Sequence, residues 1–263
     1  MAKIELRSVT KNFDSPASPV TALKDVTLTI VDKEFVTLVG ASGCGKSTLL
    51  NLIAGFELPT TGQVLVDGSA VAGPGPDRGV VFQQAALFPW LSVEDNIAFG
   101  LTLKANRHKG EKVATTRRML ERTGLSPFRT RRPAELSGGM RQRAAIASVL
   151  AINPSTLLMD EPFGALDSLT RSIMQDFLLE IWEEERKAAL LVTHDIDEAI
   201  YLADRTIVMS TSPGRVSEII EVDLPRPRRY EIRSEPRFIE LRDHVTQIVR
   251  AEAIKGTFVQ QTA

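Results

Sequence analysis

The stretch Gly40-Ala41-Ser42-Gly43-Cys44-Gly45-Lys46-Ser47 fits the pattern G-x-x-x-x-G-K-[ST]. It falls directly after the apolar run Phe35 to Val39 and before Thr48-Leu49-Leu50-Asn51-Leu52-Ile53. A buried strand, a glycine-rich turn and a helix, in that order, are the context in which this pattern has a mechanism. Glycines let backbone N–H groups converge on phosphate oxygens, and the following helix turns its positive end toward the same anion. The expected ligand is a nucleoside triphosphate, with Gly40, Ser42, Gly43, Cys44, Gly45, Lys46, Ser47 and Thr48 around its phosphates. Lys46 supplies a mobile ammonium that spans β- and γ-phosphates, and the Ser47 hydroxyl is small enough to ligate Mg²⁺. Cys44 stands at a helix N-terminus, a location that lowers thiol pKa, although a small tolerated side chain is preferred over a redox sensor.

Two further apolar runs, Thr156 to Met159 and Ala189 to Val192, pass at once into polar residues, as buried parallel strands do. Stretches with helical spacing separate them, such as Thr170 to Lys187, where Ile173, Phe177, Ile181 and Trp182 are expected on one buried face. Strands alternating with helices predict a doubly wound parallel sheet. The alternating runs Ile4 to Val9 and Val26 to Ile30 predict an antiparallel flank with one wet side. From Pro89 to Ala151 helix formers dominate, which predicts an inserted helical subdomain; Ser92-Val93-Glu94-Asp95 opens it with Ser92 as N-cap. Beyond Leu224, Arg226, Arg228 and Arg229 read as a solvated turn rather than a phosphate or nucleic-acid patch. Phe238, Leu241, Val245 and Ile248 then predict one docking helix.

Leu157-Leu158-Met159-Asp160-Glu161 is an apolar strand ending in two acids, which places both at the carboxyl edge of the sheet, where ligands of such sheets bind. Asp160 is expected to hold Mg²⁺, directly or through water, and Glu161 to polarise the water that attacks the γ-phosphorus. Thr193-His194-Asp195 follows the third strand, so His194 reaches the same edge and is expected to hydrogen-bond the γ-phosphate. Gln83, after Gly79-Val80-Val81-Phe82, is placed to reach Mg²⁺ and the attacking water with its amide.

Composition narrows the classes further. At 43% hydrophobic and 25% charged, the 263-residue chain is neither disordered nor collagen-like. Its 32 Lys and Arg nearly balance 33 Asp and Glu, so no overall field holds nucleic acid or anionic lipid, and anion binding has to be local. One cysteine builds neither an internal disulfide nor a Cys-based metal site, which points to a reducing cytosol. The first residues lack the apolar run of a signal peptide, and no stretch approaches the roughly 18 apolar residues of a membrane helix. Work at a membrane then depends on other chains.

One more run, Leu136-Ser137-Gly138-Gly139-Met140-Arg141-Gln142-Arg143, opens a helix ahead of the carboxylates. With the phosphate loop, Asp160-Glu161 and His194 in this order, the chain resembles an ABC-type ATPase over nearly its whole length. The resemblance implies a P-loop (RecA-like) parallel sheet core with a β flank over 1–88 and 155–225. It places the helical signature-motif subdomain over 89–154 and a helical tail over 226–263. It further implies ATP and Mg²⁺ as cofactors and a head-to-tail pair of identical chains, each ATP lying between one phosphate loop and the partner's Ser137, Gly138 and Gly139. Ser137 supports this independently as the cap of a helix whose free N–H groups form a second anion-binding end.

The other roles carried over by the resemblance are Mg²⁺ and the cleft toward membrane subunits for Gln83, the dimer interface for Asp167, and adenine stacking for Phe13. Core packing is the alternative for Phe13. That place is usually Tyr, but stacking needs only a π face. Met140 stands where Gln is commoner and leaves Ser137 and Gly139 intact. The implied partners are integral membrane permease subunits and a solute-binding protein, with no nucleic acid, at the cytoplasmic face of the bacterial inner membrane. Gly79-Val80-Val81-Phe82-Gln83, Leu87-Phe88-Pro89-Trp90 and Leu224-Pro225-Arg226-Pro227-Arg228 look most like importers of nitrate, sulfonate, taurine or bicarbonate. Trp90 either lines the groove for a permease helix or belongs to the core. Transport of another solute, or a nucleotide-gated module without transport, is the alternative. A chromosome-organising relative needs sustained heptads, absent here, and a translation factor needs two tandem cassettes. A module without hydrolysis would lack Glu161 or His194.

Overall fold

The computed structural model describes residues 2–14, 19–103, 112–211 and 213–261. In chain order the elements begin with β1 (Ala2–Phe13), β2 (Val20–Val31), β3 (Phe35–Val39), α1 (Lys46–Ala54), β4 (Thr61–Val66), β5 (Ser69–Ala70) and β6 (Arg78–Val81). Helices α2 (Val93–Thr102), α3 (Lys112–Arg122) and α4 (Gly138–Ala151) precede β7 (Thr156–Asp160) and α5 (Ser168–Glu185). The chain continues through β8 (Ala188–Val192), α6 (Ile196–Leu202), β9 (Arg205–Met209), β10 (Val216–Glu221) and α7 (Pro236–Gln261). Among the described residues no helix is long and apolar enough to cross a membrane.

These elements form two compact units, one of Met1–Pro74 with Leu178–Ala263, the other of Gly75–Phe177. In the first, the antiparallel flank runs β2-β1-β4-β5. Leu23, Val26, Leu28 and Ile30 are buried while Thr27, Thr29 and Val31 face outward, the period-two pattern of a sheet wet on one side. The same unit places β3 between β8 and β9, parallel to both, with β10 antiparallel to β9. All five residues of β3 and of β8 are buried, which is why their sequences are apolar without alternation save for the buried Thr37.

In the second unit β6 pairs parallel with β7, Val81 opposite Met159. Ser92 caps α2 by accepting from Asp95 N–H at 3.1 Å, so the expected entry to the helical stretch is present. Of the four residues expected on the buried face of α5, Ile181 and Trp182 are buried and Phe177 is half-buried. Ile173 is 54% exposed, whereas Met174, Leu178, Ile181 and Trp182 are buried. Ile173 and Met174 both have helical spacing to the buried residues that follow, and periodicity alone does not decide between them.

Of the three tail arginines Arg229 is exposed as expected, but Arg226 and Arg228 are not part of a solvated turn. Arg228 is 6% exposed, and its guanidinium donates to the carbonyls of Ile200, Tyr201 and Ala203 at 3.1, 3.0 and 2.6 Å. It also donates to Val222 and Leu224 carbonyls, both at 3.3 Å. The last carbonyls of α6 have no partners within the helix, and the planar five-donor fork of Arg satisfies several at once. Burial lowers the Arg228 pKa to about 10, still charged at neutral pH. Arg226 pairs with Asp204 at 2.8 Å and lies over the Trp182 ring at 4.5 Å. Phe238, Leu241 and Val245 of α7 are buried, as expected of a docking helix.

Arg228→Met keeps much of the volume and removes every donor, leaving buried carbonyls unpaired. It should lower stability by about 3 kcal/mol, read as a shift of the urea midpoint; an unchanged midpoint overturns the capping account.

Candidate functional site

The phosphate loop leaves the carboxyl end of β3 and closes on α1. Gly45 is the N-cap of α1 with φ 91°, a left-handed conformation that a side chain resists. A Cβ there would lie 2.7 Å from Leu23 Cδ2 and 2.9 Å from the Ala22 carbonyl, so the loop is pressed against β2. From the other side Gly214 donates its N–H to Ala22 O at 3.0 Å, and a Cβ on Gly214 would come within 2.1 Å of the Cys44 carbonyl. Sequence reasoning misses Gly214, because its only signal, a Pro-Gly pair, reads as an ordinary turn.

Lys46 is 7% exposed, and its Nζ donates to Gly40 O at 2.9 Å and Ala41 O at 3.0 Å. The ammonium is thus held over its own loop, where phosphate oxygens would compete with neutral carbonyls for it. Ser47 is exposed and Thr48 half-buried in the first turn of α1. Cys44 corrects the expectation of a lowered thiol pKa: it is 1% exposed, and burial pushes the thiol up despite the neighbouring Lys46 ammonium. Desolvation of the thiolate outweighs the helix N-terminus because the side chain points inward.

His194 lies in the same unit. Thr193 N–H donates to Leu38 O at 3.1 Å, so the chain beyond β8 leaves beside the end of β3 that carries the phosphate loop. His194 is exposed there. Phe13, at the end of β1, is 37% exposed with Lys11 Nζ 4.8 Å from its ring centroid, which removes the core reading. An accessible π face is what stacking requires.

The second unit carries the other candidates. Asp160 ends β7, and Glu161 follows with φ 43°. A non-glycine residue in that region costs about 1 kcal/mol or more, here within a turn closed by Gly164 N–H to Glu161 O at 3.1 Å. Gln83 Nε2 donates to Glu161 Oε2 at 3.2 Å, which brings together two residues separated by 78 positions. Ser137 caps α4 by accepting from Met140 N–H at 3.3 Å. Ser137 and Gly138 are exposed, whereas Gly139 is buried. Asp167 accepts from Thr170 N–H at 3.0 Å, and that backbone bond holds its carboxyl below the usual range.

A cleft of about 320 Å³ opens within this unit between the Gln83-Gln84-Ala85 segment, Gly138, Arg141 and Gln142 of α4, and Leu166. Trp90 is 67% exposed, which excludes the core alternative, and lies 5.5 Å from Phe88, itself 4.5 Å from Phe99. Sequence reasoning gives Gln142 no role. Its signal is a polar side chain one turn into a helix, and only the packed structure shows it to be buried.

The family model described as ABC transporter matches residues 23–164. An uncharacterised ABC transporter ATP-binding protein of Methanocaldococcus jannaschii is 47% identical over 254 residues, covering 97% of this chain and 94% of the relative. The nitrate import ATP-binding protein NrtD of Synechococcus elongatus is 48% identical over 239 residues, 89% of this chain and 86% of the relative. The bicarbonate transport protein CmpC of the same organism is 46% identical, over 92% of this chain but 37% of its own length. Among solved structures, a dimeric post-hydrolysis state of the cassette MJ0796 bound to ADP and Pi superposes with a TM-score of 0.73. It is 34% identical and covers 84% of this chain and all of that one.

The lone Cys44 gives a clean chemical readout of the loop. Iodoacetamide should alkylate the native chain at least about tenfold more slowly than the same chain in urea, followed by mass spectrometry; equal rates would mean an open, reactive thiol.

Proposed function

This chain belongs to the ABC transporter family and is an ATPase, and we propose that it energises an importer of a small anion such as nitrate, sulfonate, taurine or bicarbonate. The names of the relatives NrtD and CmpC support the solute class. The proposed assembly pairs two copies and docks them on integral membrane permease subunits at the cytoplasmic face of the inner membrane, fed by a solute-binding protein. The division into core, signature subdomain and tail belongs to the same reading.

The single observation that carries it is the start of α4. Ser137 caps a helix of 14 residues, and Ser137 and the first helical residue, Gly138, are both exposed, so α4 offers an anion a second helix N-terminus besides that of α1. In the proposed pair, the γ-phosphate held by one copy's loop meets Ser137 and Gly139 of the other. Binding energy then goes into closure, and hydrolysis releases it.

Ser47, Gln83 and Asp160 would hold Mg²⁺: hydroxyl, amide and carboxylate oxygens suit a small hard cation that also takes phosphate ligands. When bound, it neutralises charge on the β- and γ-oxygens. Lys46 binds the same phosphates, Phe13 stacks on adenine, and His194 donates to the γ-phosphate. Glu161 accepts a hydrogen bond from the attacking water and aims its lone pair, the positioning that dominates phosphoryl transfer.

Glu161→Gln should slow hydrolysis about 100-fold with ATP binding kept and an ATP-dependent dimer visible in sedimentation; wild-type turnover refutes the assignment. Lys46→Met should weaken ATP about tenfold or more in equilibrium binding, and an unchanged affinity counts against the loop. Co-expression with the permease subunits of an NrtD-type importer, followed by uptake of labelled nitrate, taurine and bicarbonate, tests the solute class; uptake of none of these solutes overturns it.

A further inference from the structure

A buried side-chain amide is expensive unless its polar atoms find partners. Gln142 is 3% exposed in the first turns of α4, the helix that Ser137 caps. Its Nε2 donates to the Phe82 carbonyl at 3.5 Å. The next residue, Gln83, donates its own Nε2 to Glu161 Oε2 at 3.2 Å. Two amides in series therefore join α4, the segment leaving β6 and the carboxylate that follows β7, all within one compact unit. Gln83 and Gln142 also both line the 320 Å³ cleft of this unit, which leaves room for the segment to shift.

The two links differ in kind. Phe82 offers a backbone carbonyl, so the Gln142 contact holds the main chain itself and sets where the Gln83 side chain begins. Gln83 offers a flexible side chain to a carboxylate, a charge-assisted contact whose outcome depends on that starting point. The 3.2 Å contact lies at the long end of the N–H···O range and the 3.5 Å contact just beyond it, so each is weak enough to be remade.

We infer that Gln142 is a positioning residue for hydrolysis: by tying the Phe82 carbonyl to α4, it sets where the Gln83 amide meets the Glu161 carboxylate. The inference rests on the proposed assignment of Glu161 as the residue that aims the attacking water. Its consequence is that the helix presenting Ser137 to a partner's nucleotide and the carboxylate acting on the chain's own nucleotide are mechanically joined, so a displaced α4 misplaces the base.

The test is a double-mutant cycle on the full chain, with phosphate release measured against ATP concentration. Gln142→Met keeps side-chain length without a donor and should lower kcat about tenfold while KM for ATP stays within about twofold. Gln83→Ala should lower kcat by itself, and the double variant should match Gln83→Ala alone, because the Gln142 contact acts only through Gln83. A wild-type kcat in Gln142→Met overturns the inference, as does a double variant whose loss is the product of the two single losses, the result a purely structural residue gives. Should Gln142→Met fail to fold by thermal unfolding, Gln142→Asn, which keeps the amide and shortens its reach, enters the same cycle under the same criteria. Glu161→Gln separates the two claims: if it turns over at the wild-type rate, the parent assignment has failed. If it is slow while the cycle is multiplicative, only the role of Gln142 has failed.

Discussion

The parallel pairing of β3 with β8 on one side and β9 on the other is the constraint on which the proposed nucleotide end of this molecule depends. Parallel strands bring their carboxyl ends to one edge, so the residues after Val39 and after Val192 emerge together. The phosphate loop and His194 share that edge because Leu38 lies opposite Val192 in register. A one-residue slip would exchange inward and outward side chains along a strand whose neighbours are all buried. The loop itself is then fixed from behind by β2 and by Gly214, approaches that tolerate no side chain on Gly45 or Gly214. Rigid support under a glycine-rich loop would keep its N–H groups oriented ahead of the phosphates it is proposed to bind, the preorganisation on which electrostatic binding relies.

Charge is used inside this fold as well as at its proposed functional edge. Arg228 collects five carbonyls around the end of α6 and the approach to α7, and Arg226 links Asp204, Glu183 and Trp182. A guanidinium is suited to this because it is planar, weakly hydrated for an ion and able to donate in several directions at once. The same two arginines fasten the segment leading to α7 against α6, which begins just beyond His194 at the Asp195 cap. The tail is therefore anchored to the element that follows a residue of the functional edge.

In the second unit a line of polar contacts runs from α4 through the Phe82 carbonyl and Gln83 to Glu161. Glu161 sits at a positive φ within a tight turn, so its carboxylate is aimed by the backbone as well as by the amide that reaches it. Strain at a residue of this kind is tolerated only where the surroundings over-determine its conformation. The buried strand before it and the closed turn after it do so.

Local chemistry makes much of this protein readable from its sequence alone. The loop from Gly40 to Ser47, the Ser92 and Ser137 caps and the apolar strands Phe35 to Val39 and Ala189 to Val192 depend on residues adjacent in sequence, where glycine freedom, hydroxyl capping and side-chain period act directly. Tertiary structure alone decided that Met174 rather than Ile173 of α5 is buried, that the Cys44 thiol is desolvated rather than activated, that Arg228 lies inside and Arg226 is paired, and that Gln83 meets Glu161. Each of these is a question of which distant backbone or side chain fills the space beside a residue. Sequence spacing carries no information about that until the chain has packed.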